Sequence, residues 1–166
     1  MLEIPLTQGL STHIDDADFP LVSQFKWTTH RTGPRTPQLI YASRRLWDAT
    51  RKRSGKTIFL HRFLMNPPLG YDVDHINGNG LDNHRVNLRV CTRQQNNGNQ
   101  TPKRHTSRFK GVYRPSGRRS WIARIMVNYR PIHLGSFDTE EAAAQAYQKA
   151  AEQHFGAFAY HTRSTA

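Results

Sequence analysis

Between residues 71 and 99 the order of residues leaves little freedom for the backbone. YDVDHI, residues 71–76, reads as a short strand. NGNG at 77–80 forces a reversal, because Asn and Gly tolerate positive φ. NLRVCT, residues 87–92, reads as a second strand, and Thr92 followed three residues later by Gln95 is a capping box that opens a helix. The order is therefore strand, turn, strand, helix.

The flanks follow from the same signals. Residues 1–65 are strand-rich. An acidic turn, Asp15-Asp16-Ala17-Asp18, precedes an apolar cluster of Phe19, Leu21, Val22, Phe25 and Trp27. LIYASRRLW and KTIFLHRFLM read as strands on either side of the basic turn ATRKRSG; the second run becomes helical near His61, and NPPLG ends it. QTPKRHTSR, residues 100–108, reads as a linker. Beyond it, FKGVYR, SWIARIMV and RPIHLGSF are three strands. FDTEEAAAQAYQKAAEQHFG is a helix capped by Asp138 and stopped at Gly156, with Ala143, Ala146 and Ala150 on the face that packs. The expected fold class is α+β. Residues 1–99 hold the strand-rich region and the central core, 100–107 are a basic linker, and 108–166 form a small second domain.

Charge narrows the function. Lys and Arg outnumber Asp and Glu by 24 to 12, and the excess is not spread evenly. From Asn83 to Phe137 there are 12 Lys or Arg and no acid, so the rest of the chain balances to zero. Such a field suits a phosphate polymer. No apolar run approaches the length that spans a bilayer, and no basic amphipathic helix suggests a membrane surface. MLEIPLTQG lacks the pattern of a secretion signal, and the lone Cys91 forms no internal disulfide. An intracellular, cytoplasmic setting is the expectation. A zinc cluster of His75, His84 and Cys91 lacks any usual ligand spacing. His84 reads as a surface loop residue, and His61 as ordinary packing, a brace for the site or a phosphate contact.

Phosphodiester cleavage needs a base for the attacking water and positive charge for the phosphate and the departing oxygen. A histidine supplies the first and one hard divalent cation the second. Asp74 offers a carboxylate and Asn96 an amide oxygen, both hard donors. Neighbours on a strand point to opposite faces, so Asp74 can serve a metal while His75 serves water. Competing roles are an Asp74–Arg pair, a packing or phosphate-contacting His75, and a turn-forming Asn87.

DHINGNGLDNHRVNLRVCTRQQNN, led in by LHRFLM, resembles the HNH motif of phage and intron homing endonucleases. That resemblance implies a ββα-metal (His-Me finger) core with one divalent ion, Mg²⁺ with Mn²⁺ as a substitute. It implies catalytic roles for His75, the general base, and Asn87, which orients the histidine and braces the loop. It implies Asp74 and Asn96 as metal ligands, the spacing favouring Asn96 over Asn97. It also implies products with 5′-phosphate and 3′-hydroxyl ends and a phage or other mobile element as source.

SRFKGVYRPSGRRSWIARIMVNYRPIHLGSFDTEEAAAQAYQKAA resembles the APETALA2 DNA-binding domain through F-K-G-V, W-x-A-x-I, LG-S-F-D-T and E-A-A-x-A-Y. That implies a three-stranded antiparallel sheet on one helix, with the sheet in the major groove. By alternation Trp121, Ala123 and Ile125 face the helix, joined by Val112, Ile132 and Leu134. Tyr113, Met126 and His133 depart from the plant pattern, so plant base specificity does not carry over. The expected DNA contacts are Arg44, Arg45, Arg93, Lys103, Arg104, Arg108, Lys110, Tyr113, Arg114, Arg118, Arg119, Arg124 and His133, with Arg51, Lys52, Arg53 and Lys56 extending the N-terminal patch.

The sequence thus reads as a metal-dependent HNH endonuclease of the homing type, acting on double-stranded DNA as a monomer with no protein partner implied. The alternative is a non-catalytic DNA-binding protein or regulator on a degenerate nuclease core. If six to ten phosphates are neutralised, DNA affinity measured by fluorescence anisotropy should fall about 10³–10⁵-fold between 50 and 200 mM salt.

Overall fold

The computed structural model describes residues 2–32, 39–48, 50, 53–100 and 106–160. The chain divides into two compact units, Met1–Cys91 and Thr92–Ala166. The division precedes the helix that the sequence reading grouped with the first domain. Residues 101–105 of the expected linker lie outside the described residues.

In the first unit, β1 (Leu2–Pro5) pairs antiparallel with β2 (Ser11–Ile14), and alternation turns Ile4, Thr12 and Ile14 inward. A single helical turn, α1 (Phe19–Val22), carries Pro20 in its first turn, where its missing N–H costs nothing. Of the apolar cluster read there, Val22 and Trp27 are buried, and Trp27 Nε1 donates to the Val22 carbonyl at 3.0 Å. Phe19 and Leu21 are exposed, because a four-residue helix turns only one side to the core. β3 (Thr28–Arg31), β4 (Ile40–Asp48) and β5 (Arg53–Phe59) form an antiparallel sheet in that order. β5 runs directly into α2 (Leu60–Met65), which ends at Asn66 in the left-handed conformation. β6 (Asp72–His75) pairs antiparallel with β7 (Leu88–Cys91). One core joins these pieces: Ile4, Ile14, Val22, Trp27, Ala42, Leu60, Leu64, Val73 and Leu88.

The second unit opens with α3 (Arg93–Asn99). The capping box is present as read: Gln95 N–H donates to Thr92 Oγ1 at 3.2 Å, and Thr92 N–H to Gln95 Oε1 at 2.8 Å. Then come β8 (Val112–Tyr113), β9 (Trp121–Val127), β10 (Arg130–Phe137) and α4 (Glu140–Phe155), with sheet order β10-β9-β8, all antiparallel. Ala123 and Ile125 are fully buried against Ala143, Tyr147, Ala150 and Ala151, while Arg124 and Met126 point outward. Small residues on α4 bring its axis close to the sheet. The cap of α4 is Thr139, one residue later than expected: its Oγ1 accepts from Ala142 N–H. Ile132 is exposed rather than core, since β10 is an edge strand. Ser107 is buried and donates to Glu140 Oε1 at 2.6 Å, so this end of the expected linker belongs to the packed unit.

The architecture is mixed α and β, with small antiparallel sheets and few helices. Gly111 is a critical point in the second unit. Its φ of 71° favours glycine, and a Cβ there would strike the Tyr147 ring and the Arg124 carbonyl. Gly111→Ala should destabilise this unit by about 2–4 kcal/mol in denaturant unfolding.

Candidate active site

The site is built on the β6–β7 hairpin. Its register sets Asp74 opposite Arg89 and His75 opposite Leu88. The connecting loop is held by asparagines used as small hydrogen-bonding staples. Asn79 N–H donates to Asn77 Oδ1 at 2.8 Å, and Leu81 N–H to Asn79 Oδ1 at 3.1 Å. Buried Asn87 closes the loop. Its Oδ1 accepts from Asn77 N–H, its Nδ2 donates to Asn77 Oδ1 and the Asp82 carbonyl, and its own carbonyl accepts from Ile76 N–H.

His75 is buried, and its ring has Asn83 as a hydrogen-bond partner. Nε2 lies 3.3 Å from Asn83 Oδ1. The Asn83 amide nitrogen donates to Thr12 Oγ1 at 2.7 Å and to the Gly80 carbonyl at 3.4 Å. That fixes which end of the amide is the oxygen, because a carbonyl can only accept. His75 Nε2 therefore carries the proton, and in the neutral ring the lone pair resides on Nδ1. Thr12 Oγ1 donates onward to the Leu81 carbonyl at 2.7 Å, so β2 holds the loop and the loop holds the histidine.

The ring's surroundings keep it uncharged. His61 meets His75 edge to face, with centroids 4.9 Å apart, and Tyr41 lies 5.9 Å away. Burial pushes the His75 imidazole below its ordinary range, against upward pulls from the Asn83 bond, Asp74 and Asp82. His61 is pushed down to about 3, first by burial and then by His75 and Arg62. It packs against Phe59, Tyr41 and His75. Gly80 permits this packing: a Cβ there would collide with the Tyr41 ring. His84 stands in the loop, half-buried rather than on the surface. Its Nδ1 lies 2.6 Å from Asp82 Oδ1, and only 15% of its side chain is exposed. The pairing draws the ring inward.

Asp74 is buried with a partner. Arg89 donates to its Oδ2 from Nε at 2.9 Å and from Nη2 at 2.7 Å. The competing role of an Asp–Arg pair is thus realised in the structure. Asp74 also helps raise the Cys91 thiol to about 11, after burial as the main cause. Asn96 is half-buried on α3, with its N–H donating to the Thr92 carbonyl at 3.0 Å. Among the described residues no group of three or more His, Cys, Asp or Glu could hold a metal. A carboxylate and an amide oxygen suit a hard cation such as Mg²⁺, provided water and phosphate supply the remaining ligands.

The expected DNA contacts fall into several situations. Arg44 packs its guanidinium 3.7 Å over the Phe25 ring, near Trp27 and Phe63, with Nε buried and without a partner among the described residues. Its guanidinium is thus stacked on an aromatic face, and the residue is half-buried. Arg45 and Lys56 are exposed. Arg51, Lys52, Lys103 and Arg104 lie outside the described residues, as does the side chain of Arg53. In the second unit, Arg93, Arg108, Arg114, Arg118, Arg119, Arg124 and His133 are exposed, and Tyr113 is half-buried. Arg108 pairs with Glu141 at 3.4 Å, and Arg124 and His133 are register partners on the sheet. Lys110 donates to the carbonyls of Asn97 and Gly98, both at 2.7 Å. Asn83 and Arg89 were missed as functional residues, although both stand inside the quoted motif as DN and NLR.

Residues 66–98 match the HNH endonuclease family. An uncharacterized HNH endonuclease of Acanthamoeba polyphaga mimivirus is 34% identical over 148 residues, which cover 85% of this chain and 68% of that protein. Protein 3.8 of Escherichia phage T7 is 36% identical over 93 residues, which cover 55% of this chain and 76% of that protein. With the buried histidine and its hairpin in place, the chain belongs to the HNH endonuclease family. Among the described residues no helix is long and apolar enough to cross a membrane.

The lowered His61 value has a thermodynamic consequence. The unfolded chain takes up this proton near the ordinary value of 6.5, the folded chain only near about 3. The contribution is fully present above the unfolded value and is lost as pH falls toward the folded one, at about 1.4 kcal/mol per pH unit for one proton. His61→Phe should flatten the pH dependence of stability between pH 6.5 and 4, read by denaturant unfolding at each pH.

Proposed function

We propose that this chain is a metal-dependent endonuclease of the homing type that hydrolyses a phosphodiester bond in double-stranded DNA. The observation that carries the reading is His75, neutral, buried and held by Asn83 with its lone pair on Nδ1, one residue from Asp74. His75 takes the proton from the attacking water at Nδ1. Nε2 stays bonded to Asn83, so the imidazolium that forms keeps its orientation and shares its charge with the nearby Asp74 carboxylate. Asn87 positions the loop that carries Asn83. Asp74 and Asn96 would hold one divalent cation, Mg²⁺ or Mn²⁺. When bound, that ion supplies positive charge to the phosphate and the departing 3′ oxygen.

In this reading the β6–β7–α3 segment is the ββα-metal motif, and the second unit is an APETALA2-like DNA reader. Its three-stranded sheet with α4 packed against it supports that assignment, as do the exposed Arg124 and His133 on one face. The protein acts as a monomer on DNA inside a cell and leaves 5′-phosphate and 3′-hydroxyl ends. A second reading, a DNA-binding regulator without cleavage, is favoured by one observation: Arg89 already occupies Asp74 Oδ2.

Incubating purified protein and plasmid DNA with Mg²⁺ or Mn²⁺, with and without chelator, separates the two. Cleavage that chelator stops supports the enzyme; intact plasmid under all conditions supports the regulator. His75→Ala should slow cleavage about 10²–10⁴-fold and leave DNA affinity within a factor of about two. A variant that cuts at the normal rate removes His75 as the base.

A further inference from the structure

The second unit carries a deep cleft that reading duplex DNA with a flat sheet does not require. It has a volume of about 640 Å³, within the range of small-ligand sites, and lies wholly within this unit. α3 lines one side, residues of β8 and β9 line another, and Phe109 with Tyr147 and Phe155 of α4 complete the lining. Tyr113, Met126 and Tyr129 give flat or polarisable surfaces, while Arg114 and Arg124 supply positive charge. Asn97 and Gln100 also line it, with Gln100 Nε2 donating to Asn97 Oδ1 at 3.2 Å, and among the described residues no acidic side chain does.

Tyr129 adds an independent observation. It occupies the second turn position of the β9–β10 hairpin, with φ of 61° following Asn128 at 49°. Both central residues in the left-handed region define the tight turn that prefers Asn-Gly. A tyrosine there is strained, and the residue is 77% exposed, so core packing does not explain it. The turn is also tied to the opposite wall, since Asn128 N–H donates to Gln94 Oε1 at 3.2 Å. Lys110 fastens the far end of α3 through the Asn97 and Gly98 carbonyls. The walls are therefore held apart, and the strained residue stands at the mouth.

We propose that this cleft binds one unpaired nucleotide of the bound DNA, its base stacked on the Tyr113, Met126 and Tyr129 surfaces and its flanking phosphates on Arg114 and Arg124. Aromatic and methionine walls with arginines at the rim complement a flat apolar ring on an anionic backbone. Amide side chains can meet the edge of the base. A paired base stays inside the duplex and leaves such a cleft empty, so the site selects DNA with an extruded or bulged nucleotide. This rests on the reading that the unit binds DNA.

The test compares two short fluorescein-labelled duplexes of one sequence, intact and with a single unpaired central nucleotide, titrated with full-length protein by anisotropy. The bulged duplex should bind about tenfold tighter. Tyr129→Gly places the preferred residue in the turn, so it should fold at least as stably by denaturant unfolding. It should keep its affinity for intact duplex and lose most of the preference. Equal affinity of the wild type for both duplexes overturns the cleft proposal alone, as does an undiminished preference in Tyr129→Gly. Failure to bind either duplex overturns the DNA-binding reading and the cleft with it.

Discussion

The hydrogen bond from His75 Nε2 to Asn83 Oδ1 is where fold and chemistry meet. It settles which nitrogen can accept a proton and gives the ring a fixed direction. The bond holds because Asn83 is itself fully buried and spoken for: its Nδ2 goes to Thr12 and the Gly80 carbonyl, and its N–H to the His13 carbonyl. Each of these partners stands on β2 or in the loop. A contact 71 residues distant in sequence thus governs the proton-accepting atom. Burial supplies the other half, since a desolvated imidazole stays neutral where an exposed one would be partly charged.

Asp74 has a less settled situation. Paired with Arg89 away from water, it is stabilised by two charge-assisted hydrogen bonds yet carries a desolvation cost that offsets much of that gain. Under the proposed function, the guanidinium and a divalent cation compete for one carboxylate. Protein donors alone then grip the cation weakly, and phosphate oxygens have to contribute much of the affinity. Cation binding and substrate binding become linked through the same few atoms.

Local signals carried the sequence reading furthest. The Thr92–Gln95 box, the alternation through Trp121–Met126 and the turn at NGNG all act within a few residues, and each is found in the structure. What the sequence left open depended on distant neighbours. Arg44 has the same formal charge whether it reaches a phosphate or lies on Phe25, and only the folded sheet decides. His84 looked like loop surface until Asp82 drew it inward. Asn83 stood in plain view within the motif, but its role depends on Thr12, which no spacing rule connects to it. The cap of α4 moved from Asp138 to Thr139 because two acceptable capping residues stand side by side.

Cys91 is the lone sulfhydryl, and its place at the end of β7 shields it doubly, by packing and by neighbouring carboxylates that discourage a negative charge. Thiolate is the reactive species, and almost none forms at neutral pH. Air oxidation and maleimide dyes should therefore leave the native molecule untouched. A cysteine introduced on the surface becomes the one handle for a fluorophore or crosslinker, with no need to remove the natural residue.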